Sequence, residues 1–178
     1  TMKLYFDLVG NKDYTPDEDT DVLTTQISSS VENTIDLLEN LLVWAQAQIK
    51  GIETNPQPLN VHQMVESNFG LLGGNAHTKG INLINITDIE HTVFADEDMI
   101  NLVLRNLVSN AIKFTNKGGS IKVSSKQTDG QIQICVTDTG VGISKDGIDK
   151  LFTKNINPST LGTANEKGTG LGLLLCKE

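Results

Sequence analysis

Several features that common protein classes depend on are scarce in this sequence of 178 residues. Its two cysteines, Cys135 and Cys176, are too few and too scattered for a disulfide framework or a zinc knuckle, which favours a reducing, cytoplasmic setting. No apolar run reaches the roughly 18 to 20 residues of a membrane span, and no signal-peptide pattern opens the chain. Basic residues are also in deficit, with 14 Lys and Arg against 22 Asp and Glu and a net charge of -8. Bulk charge therefore disfavours nucleic acid and anionic lipid as partners, and a phosphate-bearing ligand must be small and locally held.

The pattern of apolar residues divides the chain at about residue 55. Before this point apolar residues advance in alternating steps of four and three, which predicts a helix that packs against other helices. Residues 3–9 predict the end of a partner helix, so residues 1–55 are expected to form part of an antiparallel hairpin that dimerisation would complete. Gly51, Pro56 and Pro58 predict a linker. The repeating apolar positions are Val31, Ile35, Leu38, Leu42, Ala45, Ile49 and Ile52.

Residues 56–178 show the mixed periodicity of an α+β domain. A helix is expected to open at Asn60, and a second, the longest of this half, to run from Asp96 to about Phe114. Alternating apolar residues on either side of Asp129-Gly130 predict a β-hairpin. We further expect a strand over Ile81–Ile86, a short helix from Ser144 to near Phe152, and an aperiodic loop over residues 153–169.

The long helix carries a coherent polar stripe. Asn106, Asn110 and Lys113 are spaced i, i+4 and i+7, which places them within about 60° of one another on a helix. A solvated surface would show the same residue types. Alternatively, two amides and an ammonium group point into a pocket that holds phosphate and a divalent cation, which prefers oxygen ligands such as an Asn carbonyl.

Two glycine-rich motifs follow this helix. The first, Asp138-Thr-Gly140-Val-Gly142-Ile143, places a carboxylate at the end of a strand, where it could accept a hydrogen bond from a flat ligand lying against the glycine backbone. An ordinary Asp-x-Gly turn looks similar. The second, Gly168-Thr-Gly170-Leu-Gly172-Leu173, opens a helix, and backbone N–H groups at a helix start favour an anion. It fits neither a P-loop nor a dinucleotide fingerprint.

In this order, the three motifs resemble the N, G1 and G2 boxes of the ATP-binding domain of sensor histidine kinases. That superfamily includes DNA gyrase B, the heat-shock chaperone ATPases and the mismatch-repair ATPases, and Leu151-Phe152 resembles a shortened F box. The resemblance implies an α/β sandwich with helices on one face of a mixed β-sheet, over residues 56–178. It also implies that residues 1–55 belong to the helical hairpin of a dimeric four-helix bundle. Two sheet strands that family members carry after the G2 helix are expected to be missing.

The same resemblance implies a role for each motif residue. Asn110 would bind Mg²⁺, with Asn106 beside the phosphates and metal and Lys113 against phosphate oxygens, and Asn106 and Lys113 would be catalytic. Asp138 would accept a hydrogen bond from the adenine amino group, and residues 153–169 would form the ATP lid. The remaining nucleotide contacts implied are Gly140, Gly142, Ile143, Thr169, Gly170, Leu171 and Gly172.

The resemblance also implies an activity. Hydrolysing members carry a Glu four residues before the metal-binding Asn, where it activates water. This chain has Asn106 there, which favours transfer of the ATP γ-phosphoryl group to a protein histidine, for relay to a response-regulator Asp. The expected partners are ATP, a second copy of the chain through the helical hairpin, and a receiver domain, with no nucleic acid and no membrane contact by this segment. The parent protein could be membrane-anchored.

Two alternatives remain open on the sequence. A degenerate module could signal by dimerisation without kinase activity, and a gyrase B-like ATPase could release phosphate without an acceptor. His62, His77 and His91 are expected to be surface or locally bonded residues, with His77 in a loop after Gly73-Gly74. The acceptor histidine is expected upstream of Thr1, so the chain alone would bind ATP without autophosphorylating.

Overall fold

The computed structural model describes residues 54–151, 160–166, 168, 170 and 172–177, together with Val31, Thr34 and Leu38, which are helical. The predicted hairpin over residues 1–55 otherwise lies outside the described residues, and its role in dimerisation stays a prediction. All elements below belong to the compact unit Ala47–Glu178. In chain order they are β1 (Pro56–Asn60), α1 (Val61–Lys79), β2 (Asn82–Ile86), β3 (Thr92–Asp96), α2 (Glu97–Phe114), β4 (Ser120–Thr128), β5 (Gln131–Asp138), α3 (Lys145–Lys150) and α4 (Gly172–Lys177).

The strands form two small sheets. In the first, β1 and β3 pair antiparallel. The second has the order β2-β4-β5, in which β2 and β4 are parallel and β4 and β5 antiparallel. This mixed pairing and the helices packed on it confirm the predicted α+β class.

The core lies between the three-stranded sheet and helices α1 and α2. On β4, Ile121 and Val123 are fully buried while Lys122 between them is exposed, so the helices cover one face of the sheet. The helices contribute Val65 of α1 and Val108 of α2, each 1% exposed. The polar stripe of α2 lies on the side of the helix that faces away from its buried residues.

Helix α2 begins and ends where the sequence predicts. Asp96 is the N-cap and accepts a hydrogen bond from Met99 N at 3.1 Å, while Glu97 and Asp98 place negative charge in the first turn. Thr115 is the C-cap, and its N–H bonds to Ala111 O. The helix has 18 residues. The expectation that it is the longest of this half is wrong by one residue, because α1 has 19.

Helix α1 overturns the loop expected at Gly73-Gly74. Asn60 caps its start by accepting from Gln63 N at 2.9 Å, as predicted. The helix then runs through both glycines and through His77 to Gly80, whose left-handed backbone (φ 68°) ends it. Ala76 is 1% exposed, and the packing of this last turn outweighs the poor helix propensity of glycine.

Strand β1 begins at Pro56, inside the predicted linker, which is also a correction. Val61 N donates to His91 O at 2.9 Å at the end of the β1–β3 ladder. In an antiparallel ladder every second residue bonds to the partner strand, so Leu59 and Gln57 bond to β3 as Val61 does. Pro56 and Pro58 occupy the positions between them, which need no N–H donor toward β3. The prolines mark an edge strand here, and strand formation depended on a partner 32 to 40 residues away along the chain.

The hairpin and the short helix follow their local signals. Asp129 and Gly130 both have positive φ, 51° and 77°, the requirement of a type I′ turn between β4 and β5. Ser144 caps α3 by accepting from Gly147 N. Among the helices that the structure describes, none is long and apolar enough to cross a lipid bilayer. The cytoplasmic setting stays a prediction.

Candidate functional site

The polar stripe of α2 lies along the face opposite its buried residues. Asn106, Asn110 and Lys113 are each half-buried. The Asn106 amide donates from Nδ2 to Leu102 O at 3.0 Å, which fixes the side chain and directs its carbonyl oxygen toward Gly172. The structure therefore brings the three predicted residues together on two consecutive turns. The buried face consists of Leu104, Val108, Ala111 and Ile112.

Lys113 is held in an environment that disfavours its charge. Burial is the main cause of the lowered pKa of Lys113; the carboxylate of Glu166 opposes this shift, and the ammonium group of Lys79 adds to it. The Lys113 ammonium also lies 4.8 Å from the centre of the Phe114 ring. A half-buried lysine of this kind is suited to an anionic ligand, because bound negative charge offsets the cost of burying the positive charge.

Asp138 ends β5 beside the last turn of α2. It lies directly opposite the buried Ile121 in the β4–β5 register, so it is on the helix-covered face of the sheet. Its Oδ1 accepts from Gly140 N at 2.8 Å, and Val141 N donates to Phe114 O at 3.1 Å. These two bonds bring the loop after Asp138 onto the end of α2.

The glycines of this loop have distinct roles. A Cβ at Gly140 would come within 2.5 Å of Phe114 O, so only glycine allows this approach of loop and helix. Gly142 has open space around it but a φ of 71°, which disfavours any other residue. Val141 and Ile143 are exposed beside them, 63% and 56%, and offer apolar surface to a flat ligand.

The second glycine motif meets α2 near its middle. Gly172 begins α4, and a Cβ there would overlap Oδ1 of Asn106. Gly170 has a φ of 73°. Thr169 and Leu171, the other predicted residues of this motif, lie outside the described residues. The start of α4 is therefore in direct contact with Asn106 of the polar stripe.

Sequence reasoning missed the contact that residues 160–166, part of the predicted ATP lid, make with the end of α2. Thr163 N donates to Lys113 O at 3.0 Å and the Thr163 hydroxyl to Thr115 O at 2.8 Å. Glu166 accepts a 2.6 Å hydrogen bond from Lys79, the last residue of α1. Lys79 precedes the helix-ending Gly80, but nothing local in the sequence connects it with a residue 87 positions later.

Comparisons with known proteins show the family to which this domain belongs. Residues 95–178 match the family model for histidine kinase-, DNA gyrase B-, and HSP90-like ATPases. The chain is 31% identical over 152 residues to the histidine protein kinase DivJ of Caulobacter vibrioides, covering 85% of this chain and 25% of DivJ. It is 27% identical over 157 residues to the sensor protein GacS of Pseudomonas syringae, covering 85% of this chain and 17% of GacS. The chain thus spans a quarter or less of these relatives.

Among solved structures, the nucleotide-free catalytic domain of the histidine kinase ThkA matches with a TM-score of 0.62 and 27% identity, over 70% of this chain and 78% of that one. This chain contains the catalytic ATP-binding domain of a sensor histidine kinase. A structure of ThkA in complex with the response regulator TrrA shows the same fold, with a TM-score of 0.58 and 22% identity over 90% of this chain and 47% of that one.

The three histidines of this kinase domain are locally bonded or exposed, as predicted. His62 Nδ1 lies 3.1 Å from both Thr87 O and Thr87 Oγ1. His91 Nδ1 lies 2.7 Å from Ser125 Oγ. His77 is exposed on α1 rather than in a loop, and exposure fits the predicted surface role.

Because Gly172 lies so close to Asn106, a larger residue at position 172 is expected to weaken nucleotide binding. Gly172→Ala should lower nucleotide affinity on the order of ten- to hundred-fold, because the added methyl group displaces Asn106 or the start of α4. Calorimetric titration with an ATP analogue measures this. Gly74→Ala is the matched control, since a Cβ at Gly74 meets open space. If the clash with Asn106 is the cause, Gly172→Ala should lower nucleotide affinity little further in a protein that already carries Asn106→Ala. A fully additive loss of affinity in the double variant would contradict this explanation.

Proposed function

We propose that this chain binds ATP with Mg²⁺ and supplies the catalytic domain that transfers the γ-phosphoryl group to a protein histidine, for relay to a response-regulator Asp. The proposal rests on one observation above all. The half-buried stripe of Asn106, Asn110 and Lys113 meets the loop after Asp138 at one end and the start of α4 at the other.

The donor set at the phosphate end fits a magnesium ion that is shared with the nucleotide. Asn110 offers a carbonyl oxygen, the kind of ligand that Mg²⁺ accepts, and Lys113 offers a compact cation for phosphate oxygens. Within the described residues, no group of three or more His, Cys, Asp or Glu side chains could hold a metal. Phosphate oxygens and water would therefore complete the coordination, as is usual for Mg²⁺ in kinases.

The base end is formed by Asp138 and its glycine loop. Oδ1 of Asp138 is engaged by Gly140 N, which orients the carboxylate and leaves further lone pairs for a donor such as the adenine amino group. Gly140 and Gly142 keep side chains away from the base, and exposed Ile143 supplies apolar contact. These features suit a flat base with an exocyclic amine.

Phosphoryl transfer is favoured over hydrolysis by the chemistry of Asn106. A water-activating base needs a lone pair of useful basicity, and an amide has none; its Nδ2 is in addition a donor to Leu102 O. In the proposed step a neutral imidazole nitrogen attacks the γ-phosphorus, an N–P bond forms, the bond to the β,γ-bridging oxygen breaks, and ADP leaves with the electron pair. Asn106 and Lys113 contribute by positioning and by neutralising charge.

Partners beyond ATP belong to the same proposal. We propose homodimerisation through residues 1–55 and transfer to a receiver domain, in keeping with the relatives DivJ, a histidine protein kinase, and GacS, a sensor protein. Size-exclusion chromatography with light scattering would test the first. A dimer that persists when residues 1–55 are removed would contradict it.

Calorimetry of the chain with a non-hydrolysable ATP analogue tests the binding step. A heat of binding that requires Mg²⁺ is expected at protein concentrations on the order of micromolar. A scaffold without nucleotide binding would give no heat. The transfer step is tested by incorporation of label from the γ-phosphate into histidine, in a form of the protein that contains the acceptor. Steady phosphate release without an acceptor would instead support a gyrase B-like ATPase.

The lowered pKa of Lys113 predicts how ATP binding depends on pH. As pH rises through this pKa, Lys113 loses the charge that attracts phosphate, so affinity should fall at a lower pH than for an ordinary lysine. Calorimetric titrations with ATP from neutral to alkaline pH measure this fall in affinity. The Lys113→Met variant should bind ATP more weakly at neutral pH and should not show the fall in affinity at alkaline pH. An unchanged fall in this variant would show that another group causes it.

A further inference from the structure

The C-terminal end of α2 is capped by a residue from another helix. The last carbonyls of a helix have no partner within it. Lys79, at the end of α1, donates to Ile112 O at 2.7 Å and to Lys113 O at 2.8 Å. Its third hydrogen bond, at 2.6 Å, is to Glu166 Oε1. All three ammonium protons are thus used, and the side chain is only 11% exposed.

Glu166 closes a compact turn that rests on the same helix end. Gly162 N donates to Glu166 O at 2.9 Å, and Ala164 N donates to the carboxylate of Glu166 at 2.7 Å. A Cβ at Gly162 would come within 2.6 Å of Lys113 Cγ, so the turn lies directly on Lys113. Burial would raise the pKa of Glu166, but the hydrogen bonds from Lys79 and the backbone outweigh it, so this pKa lies below its ordinary value.

The turn closed by Glu166 lies on the residue that the proposed function assigns to phosphate. Thr163 N donates to Lys113 O at 3.0 Å, and Lys79 donates to the same oxygen at 2.8 Å. The backbone of Lys113 is thus bonded both from α1 and from the turn. Loss of either bond should loosen the Lys113 side chain, which lies against Gly162.

We propose that Lys79 and Glu166 are positioning residues, which anchor the turn Gly162–Glu166 on the end of α2 and thereby hold Lys113 in place at the phosphate site. This role rests on the proposed function, because it assigns Lys113 to the ATP phosphates. Neither side chain touches the reacting atoms. Both act through Lys113.

Amide hydrogen exchange of the whole chain without nucleotide tests the anchor. Lys79→Met should raise the exchange rates of the Thr163 and Ala164 amides roughly ten-fold or more, the effect expected when hydrogen bonds to a charged group are lost. Glu166→Gln, which keeps the shape of the side chain, should raise the same rates by a smaller factor. Lys79→Arg should restore part of the protection. Lys126→Met, at an exposed lysine on β4, is the control and should change nothing.

Calorimetry with Mg²⁺ and an ATP analogue tests the consequence. Affinity should fall roughly ten-fold in Lys79→Met, less in Glu166→Gln, and recover partly in Lys79→Arg. Unchanged exchange in both Lys79→Met and Glu166→Gln would overturn the proposal, and so would faster exchange with unchanged affinity. If the unsubstituted chain binds no nucleotide, the proposed function fails, while the exchange rates still decide whether the pair anchors the turn.

Discussion

Replacing Asn110 by alanine is expected to abolish Mg²⁺-dependent labelling of the acceptor histidine, with a loss of about 100-fold or more. Mg²⁺ demands near-ideal geometry and few protein ligands are at hand, so removal of one oxygen donor leaves the ion and the β- and γ-phosphates without a fixed position. The fold should be unaffected. Asn110 is half-buried on a helix, where alanine is a good helix former, so the free energy of unfolding should change by no more than about 0.5 kcal/mol.

Two further variants separate metal binding from folding. Asn110→Asp keeps an oxygen donor and should retain metal binding, although its charge repels phosphate. Asn82→Ala removes an exposed amide at the start of β2 and should label like the unsubstituted protein. Radiolabel incorporation and chemical denaturation are measured on each. Equal labelling with and without Asn110 would refute its assignment as the metal ligand.

The second large effect is expected at Asp138. Asp138→Asn should weaken ATP binding on the order of ten- to hundred-fold, because an amide group replaces one carboxylate oxygen and faces the adenine amino group with a donor. The same variant should bind GTP better relative to ATP, since an amide N–H can donate to the guanine carbonyl. Asparagine keeps an oxygen for Gly140 N, so the loop and the stability should be preserved.

Competition between ATP and GTP analogues in calorimetry measures this exchange of specificity. The matched control is Asp129→Asn at the tip of the β-hairpin, a left-handed position that asparagine accepts readily. An unchanged ratio of ATP to GTP affinity in Asp138→Asn would show that Asp138 supports the loop without reading the base.

Local signals account for most of what the sequence predicts correctly. The cap at Asp96 and the period of the buried residues define α2 within a single stretch of chain, and the stripe of Asn106, Asn110 and Lys113 follows from helical spacing alone. The turn at Asp129-Gly130 needs only its own two positive φ angles. These features depend on neighbours a few residues away, which is the range over which sequence patterns are informative.

Errors arose where distant contacts decided the outcome. Pro56 and Pro58 locally predict a break in regular structure. In the fold they lie on β1 at positions that need no N–H bond to β3, so the strand forms in spite of them. His77 follows two glycines that weaken a helix, but the burial of Ala76 and the cap at Gly80 keep the helix intact through them.

The sequence by itself determined that an amide-and-lysine stripe, a carboxylate with two glycines and a second glycine motif follow one another in an α+β domain. Only the tertiary structure decided how these parts are joined. The end of α2 is a meeting point for Lys79, the loop after Asp138 and the turn closed by Glu166, because its last carbonyls need donors that the helix lacks. Those donors come from distant parts of the chain, and no local pattern reveals them.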